Sequence, residues 1–161
     1  MRRFAPCLWF DHQAEEAAEF YVTVFKNSKI GRVAHYGKEG AKVSGRPKGS
    51  VMIVTFTLDG QEFMALNGGP LFKFTPAISL IVNCGTQEEV DWFWEKLSEG
   101  GEKGQCGWLT DKYGVSWQIV PVALGEMMQA GDATQSARVM NALLQMKKLD
   151  IEVLRNAYEG K

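Results

Sequence analysis

The groups in this 161-residue chain with the most chemical reach are two histidines, three cysteines and a few hydroxyl and carboxamide side chains. Cys7, Cys84 and Cys106 are widely spaced and odd in number. They form no C-x-x-C pair, so they indicate neither a zinc knuckle nor a disulfide framework. They read as reduced, small, mostly buried apolar residues. His35 falls on strand-like sequence and His12 in a strand-to-helix loop, where structural, capping or solvent-facing roles fit a lone imidazole. No base–nucleophile pair stands out. No Gly-rich fingerprint follows a strand, so neither a Walker nor a Rossmann phosphate site is indicated.

Composition bounds the rest. The chain is 45% apolar, 23% charged and 11% aromatic, which is ordinary for a globular domain. Its length fits one domain with a real core. A formal net charge of −1 supplies no field for nucleic acid. The basic pairs Arg2-Arg3 and Lys147-Lys148 are too short to change that. No apolar run reaches membrane-spanning length. The N-terminus enters strand-like sequence at once, Phe4 to Phe10, without a signal-peptide pattern. The expectation is a cytoplasmic protein with no nucleic-acid or membrane partner.

The elements that must position these groups can be read from periodicity. Phe4–Phe10 reads as a strand. Ala14–Lys26 reads as a helix with Ala17, Phe20, Tyr21 and Val24 on one face. Ile30–Tyr36 is strand-like, and the Gly- and Lys-rich stretch 37–50 reads as a mobile loop. Val51–Leu58 and Gln61–Asn67 form a hairpin about Asp59-Gly60. Ala77–Asn83 reads as the next strand. Thr86 and Glu89 form a capping box for a helix that buries Val90, Phe93, Trp94 and Leu97. Gln105–Thr110 and Val115–Pro121 flank the turn Asp111–Gly114. From Val122 the chain reads as helical, with Asp132 and Asp150 as N-caps and Val139, Leu143 and Met146 on one face. Glu15-Glu16 recurs 73 positions later as Glu88-Glu89. The same offset sets Phe20 on Phe93, Tyr21 on Trp94, Val24 on Leu97, Cys7 on Leu80 and Trp9 on Val82, so one strand-plus-helix pattern occurs twice.

A strand, a helix and three strands, repeated once, is similar to the paired βαβββ modules of the vicinal-oxygen-chelate (glyoxalase/bleomycin-resistance/dioxygenase) superfamily. The segment Glu15–Tyr21 resembles that family's first helix, and Asp111–Ile119 resembles its last-strand "D-x-x-G-x-x-x-E" segment. Gly45-Arg46-Pro47, Phe63–Pro70, Gly104–Trp108 and Leu144–Lys148 resemble the PhnB-like branch, which carries the label 3-demethylubiquinone-9 3-methyltransferase domain. The resemblance implies an α+β fold in which two βαβββ modules form a cupped mixed sheet, followed by C-terminal helices. It implies one domain over 1–161, divided as 1–70, 77–121 and a helical tail 122–161.

The family's cup commonly holds a divalent metal through His and Glu from four strands. The matching positions here are Phe4, Met64, Ala77 and Gln118. Three of these cannot ligate a hard cation and the fourth is neutral, so neither a metal nor another cofactor is expected. If Gln118 faces into the cup, strand alternation adds Ser116 and Val120 on its own strand. By the same reasoning Ala77, Ser79 and Ile81 face in on the fifth strand, Phe4, Pro6, Leu8 and Phe10 on the first, and Met64 and Leu66 on the fourth. The expected lining (Phe4, Leu8, Phe10, Met64, Ser79, Ile81, Ser116, Gln118) is apolar with polar fixings at Ser79 and Gln118, which suits a small organic ligand. Trp108 and Trp117 are expected side by side in an aromatic core with Phe93 and Trp94, and Cys106 on the helix side.

No segment resembles an S-adenosylmethionine motif. The leading functional expectation is a small-molecule-binding protein. The alternatives are a metal-independent or atypical enzyme on the same fold, and an interaction protein that uses its C-terminal helices. Trp92, off the main helix face, and Leu143, Leu144, Ile151 and Leu154 of the tail exceed what two modules need, which points to a homodimer.

Overall fold

A computed structural model of the chain describes residues 3–161, so Arg2 of the first basic pair lies outside the described residues. The backbone forms two compact units, Met1–Phe74 and Thr75–Lys161.

The first unit is a βαβββ module: β1 (Cys7–Phe10), α1 (Ala14–Val24), β2 (Lys29–His35), α2 (Lys38–Ser44), β3 (Val51–Leu58) and β4 (Gln61–Asn67). Its sheet runs β1-β4-β3-β2, with β1 parallel to β4 and the other pairs antiparallel. Of the α1 face read from its spacing, Ala17, Tyr21 and Val24 are buried and Phe20 is only half-buried. The Tyr21 ring lies over Phe56 at 6.2 Å, and Phe56 over Phe63 at 5.4 Å. Asp59 and Gly60 both take positive φ, 45° and 76°, as the tight β3–β4 hairpin requires.

The stretch 37–50, expected to be a loop, contains α2, whose C-cap Gly45 is left-handed at φ 70°. This helix buries no residue, so it has no apolar period to read. A Cβ added at Gly40 would stand 3.2 Å from the Tyr36 ring, so glycine lets α2 lie close over that buried tyrosine. Just past the cap, Arg46 reaches Asp11 at 3.8 Å and braces α2 against the β1–α1 connection.

The second unit repeats the module: β5 (Leu80–Cys84), α3 (Gln87–Ser98), β6 (Glu102–Lys103), β7 (Trp108–Thr110) and β8 (Ser116–Pro121), in the order β5-β8-β7-β6. β5 starts at Leu80, so Ala77 and Ser79 precede it. Val90, Trp94 and Leu97 of α3 are buried, as are Leu109, Trp117 and Ile119 of the sheet, whereas Phe93 is only half-buried. The Thr86 hydroxyl accepts from the Glu89 amide at 3.2 Å, but Glu89 turns its carboxylate to the Gly85 N–H at 2.7 Å, so only half of the expected capping box forms.

The tail comprises α4 (Val122–Ala130), α5 (Ala133–Leu144) and α6 (Ile151–Glu159). Asp132 and Gln135 complete a capping box at α5, and Asp150 caps α6. Val139, Leu149 and Leu154 form a small core, and Leu143 and Met146 pack against it. The connection into α6 is bound to its own module. The Cys106 and Gly107 amides donate to Met146 and Lys147 at 2.8 Å. The Gln87 side chain donates to Leu149 O and accepts from Ile151 N, and Lys148 meets Asp91 at 2.7 Å. The fold is therefore α+β, with two βαβββ modules and C-terminal helices. Among the described residues no helix is long and apolar enough to cross a membrane.

Candidate functional site

Each sheet packs one face on the helix of its own module and leaves its other, open face free of that helix. In the second unit, Val82, Cys84, Trp117 and Ile119 are buried on the α3 side. Alternation sends Ile81 and Gln118 to the opposite face. The register sets Ile81, Gln118 and Trp108 in one row across β5, β8 and β7. Ile81 keeps 58% of its surface exposed. Ser116 shares the parity of Gln118, lies opposite Thr110 and is buried. Just ahead of β5, the Ser79 hydroxyl accepts a hydrogen bond from Gln118 Nε2 at 2.9 Å. The two polar residues expected to share a face are thus in direct contact.

The tryptophans of the last hairpin differ from expectation. Trp117 pairs with Leu109, and Trp108 with Gln118 on the opposite face. The reason is register: Asp111 N–H bonds Val115 O, so Val115 belongs to the turn and every pairing moves by one residue. Trp117 is fixed in the core by its indole N–H to Asp111 Oδ2 at 2.8 Å, while Asp111 Oδ1 accepts from the Tyr113 and Val115 amides. Cys106 is not on a strand. It sits in a turn at φ 57°, and its thiol donates to Leu143 O.

In the first unit the expected face of β1 is reversed. Leu8 pairs with Ala65 and Phe10 with Asn67, all four buried on the α1 side, while Cys7 and Trp9 share the open face with Met64 and Leu66. Asn67 marks the helix side, since its Oδ1 accepts from the Ala14 amide at the start of α1. Phe4 lies ahead of β1 and is 83% exposed. Three residues join β1 to α1, but only two join β5 to α3. The 73-residue offset therefore matches the helix starts, Ala14 and Gln87, yet misses the strand faces by one, and a one-residue slip inverts every side chain.

The positions expected to match the family's metal quartet, Phe4, Met64, Ala77 and Gln118, offer a phenyl ring, a thioether, a methyl group and a carboxamide, which do not make a donor set for a hard divalent cation, and Phe4 and Ala77 lie ahead of β1 and β5 rather than on them. Among the described residues no three His, Cys, Asp or Glu side chains gather as a metal-holding group. The thiols are poorly placed as nucleophiles. Burial, with Glu89 adding to it, pushes Cys84 up to about 12, and desolvation also raises Cys7 although that residue as a whole stays exposed. His12 lies 3.4 Å from Asp11 at the surface, and His35 is exposed at the end of β2. The arrangement can hold and orient a neutral polar group, and Trp108 is the residue in this row that sequence reasoning left out. Counting back from the Asp111 turn, with Val115 placed in it, was the signal that would have found it.

Paired βαβββ modules with one-sided sheets are the architecture of the vicinal-oxygen-chelate class. The chain belongs to the family described as 3-demethylubiquinone-9 3-methyltransferase, whose model matches residues 2–120. Among solved structures it is similar to a putative 3-demethylubiquinone-9 3-methyltransferase, PhnB protein, from Bacillus cereus, with 38% identity and a TM-score of 0.67 over 75% of this chain and 100% of that one. It is also similar to a protein from Pseudomonas aeruginosa, at 20% identity and a TM-score of 0.61 over 75% and 98% of the two chains. A glyoxalase/bleomycin resistance protein from Albidiferax ferrireducens matches at 14% identity and a TM-score of 0.46 over 74% and 98%. No curated protein sequence matches the chain closely. The family match ends at residue 120, so α4 to α6 lie beyond it.

Proposed function

We propose that this protein binds a small, partly apolar organic molecule on the open face of its second sheet. The observation that carries the reading is the 2.9 Å bond between Gln118 and Ser79, a polar pair beside Ile81 on a face that no helix of its own module covers. Binding sites are commonly apolar surfaces with a few placed polar groups. Ser79, Ile81 and Gln118 remain the candidate contacts in this unit, while Ser116 shares their face but is buried. Met64, on the open face of the first sheet, remains a candidate there, whereas Leu8 and Phe10 are taken up by the core. The reading requires no metal or cofactor, and a cytoplasmic location is proposed with it.

The test is native mass spectrometry with elemental analysis of the protein as purified. An organic adduct released on denaturation, reduced in Gln118→Leu, is the expected result. Stoichiometric Zn, Fe, Mn or Ni that survives mild chelation, with no organic adduct, would overturn it.

A homodimer is part of the proposal. The tail buries Leu154 and partly buries Leu143 and Ile151 itself, so these no longer argue for a partner. Leu71 and Phe72 of the first unit and Ile78, Trp92 and Leu144 of the second remain exposed, and exposed large apolar side chains are candidates for an association surface. Light scattering at micromolar concentration should give twice the 18.0 kDa of the chain, and a value of 18.0 kDa that stays constant on concentration rules the dimer out.

A further inference from the structure

We infer that the ligand of this face is an uncharged, flat ring compound bearing a hydroxyl or carbonyl oxygen, stacked on Trp108 and held at its oxygen by Ser79 and Gln118. The inference rests on the proposed reading of this face as a ligand site and goes on to name the class of ligand.

Three observations carry it. The first is unused hydrogen-bonding capacity. Ser79 accepts from Gln118, so its own O–H proton is still to be donated. Gln118 retains its carbonyl oxygen and a second N–H, and neither side chain makes another hydrogen bond among the described residues. The pair therefore offers donors and an acceptor at one point, which matches a hydroxyl or a carbonyl.

The second is Trp108. The indole N–H of Trp9 bonds Gly69 O, that of Trp117 bonds Asp111, and Trp92 lies under Lys96. Trp108 is half-buried in the same row as Gln118, and its ring has neither an aromatic nor a cationic neighbour nor a hydrogen bond among the described residues. A tryptophan so placed presents a flat apolar surface beside the polar pair, and aromatic rings favour stacked or edge-on partners.

The third is charge. The strand residues beside this pair are neutral, namely Ile81, Ser116 and Thr110. The carboxylate that shares the face, Glu102, stands on edge strand β6 opposite Thr110. Among the described strand residues of this face an anion would find no counter-charge and would share the face with that carboxylate, and desolvating an unpaired charge is costly.

The test uses the full chain and three matched probes in isothermal titration: 2-naphthol, 2-naphthoate, and the saturated, non-planar decahydro-2-naphthol. The naphthol should bind at least tenfold more tightly than either of the others. Trp108→Leu should abolish the preference for naphthol over its saturated counterpart while leaving thermal unfolding close to wild type. Naphthoate binding as tightly as naphthol, a planar preference that persists in Trp108→Leu, or binding by none of the three would overturn the inference. The wild-type comparison needs no variant, so it holds even if Trp108→Leu folds poorly. Where an organic adduct co-purifies but these preferences fail, the ligand-site reading stands without this one; where the protein carries no adduct and binds no probe, both fall.

Discussion

Asn67 in the first module and Gln118 in the second are both carboxamides on the strand that lies inside its sheet, β4 and β8. Asn67 turns towards α1, is buried, and has both ends engaged: its oxygen accepts from Ala14 N at 2.8 Å and its nitrogen donates to Val51 O at 3.1 Å. Its own backbone carbonyl accepts from the Tyr36 hydroxyl at 2.6 Å. Gln118 turns away from its helix, is half-buried, and spends one N–H on Ser79. Buried polar groups in folded proteins are nearly always satisfied. A satisfied carboxamide such as Asn67 is committed to holding strand, helix and hairpin together, whereas one with spare capacity on an open face is available to something else. Asp111 sits with Asn67 in this division, since it is buried and its carboxylate accepts from two amides and the Trp117 indole.

The contrast can be broken most forcefully at Asn67. Asn67→Ala would leave the Ala14 amide and the Val51 carbonyl without partners, which should lower stability by about 3 kcal/mol, read as a lower urea midpoint. Gln118→Leu should change the same midpoint by less than about 0.5 kcal/mol, because a half-exposed group away from the core carries little of the fold. Equal losses at the two sites would erase the distinction.

A second comparison tests the faces of β1. Leu8 is buried on the helix side and Cys7 is exposed on the open side. Leu8→Ala should cost about 2–3 kcal/mol through lost burial and an unfilled space, and Cys7→Ala less than about 0.5 kcal/mol. The opposite ranking would restore the alternation read from sequence.

The smallest effect concerns how the tail is fastened. Asp91 is held below its ordinary value, first by its hydrogen bond from Lys148 and then by that from Gln87. A carboxylate with a lowered folded-state pKa contributes stability above the ordinary aspartate range and loses it as pH falls through the lowered value. Both side chains are more than a third exposed, so solvent screening keeps the contribution under about 0.5 kcal/mol. Melting curves of wild type and Asp91→Asn should converge as pH drops below 3.8, the ordinary aspartate value, and differ slightly above it.

Much of the fold was legible because apolar periodicity and punctuation agreed. The α1 face at Ala17, Tyr21 and Val24, the Asp59-Gly60 hairpin and the caps at Asp132 and Asp150 all follow from local rules. What failed was decided by single-residue counts that no local pattern carries. Asp11-His12-Gln13 against Gly85-Thr86 shifted the faces of β1 by one, and Val115 in a turn rather than a strand separated Trp108 from Trp117. The α2 helix was missed for a different reason, since it buries nothing and so leaves no apolar signature. The Ser79–Gln118 contact was reachable because the alternation of β8 and of the stretch leading through β5 had been read on the correct face.

The most direct test of the central claim places both carboxamides in one experiment. In a 1H–15N spectrum of the labelled protein, the side-chain NH2 signals of Gln118 and Asn67 are assigned and followed as 2-naphthol is added. The account predicts that the Gln118 signals move with saturation while those of Asn67 stay in place. Movement at Asn67 with Gln118 unaffected, or binding that leaves both unchanged, would contradict it.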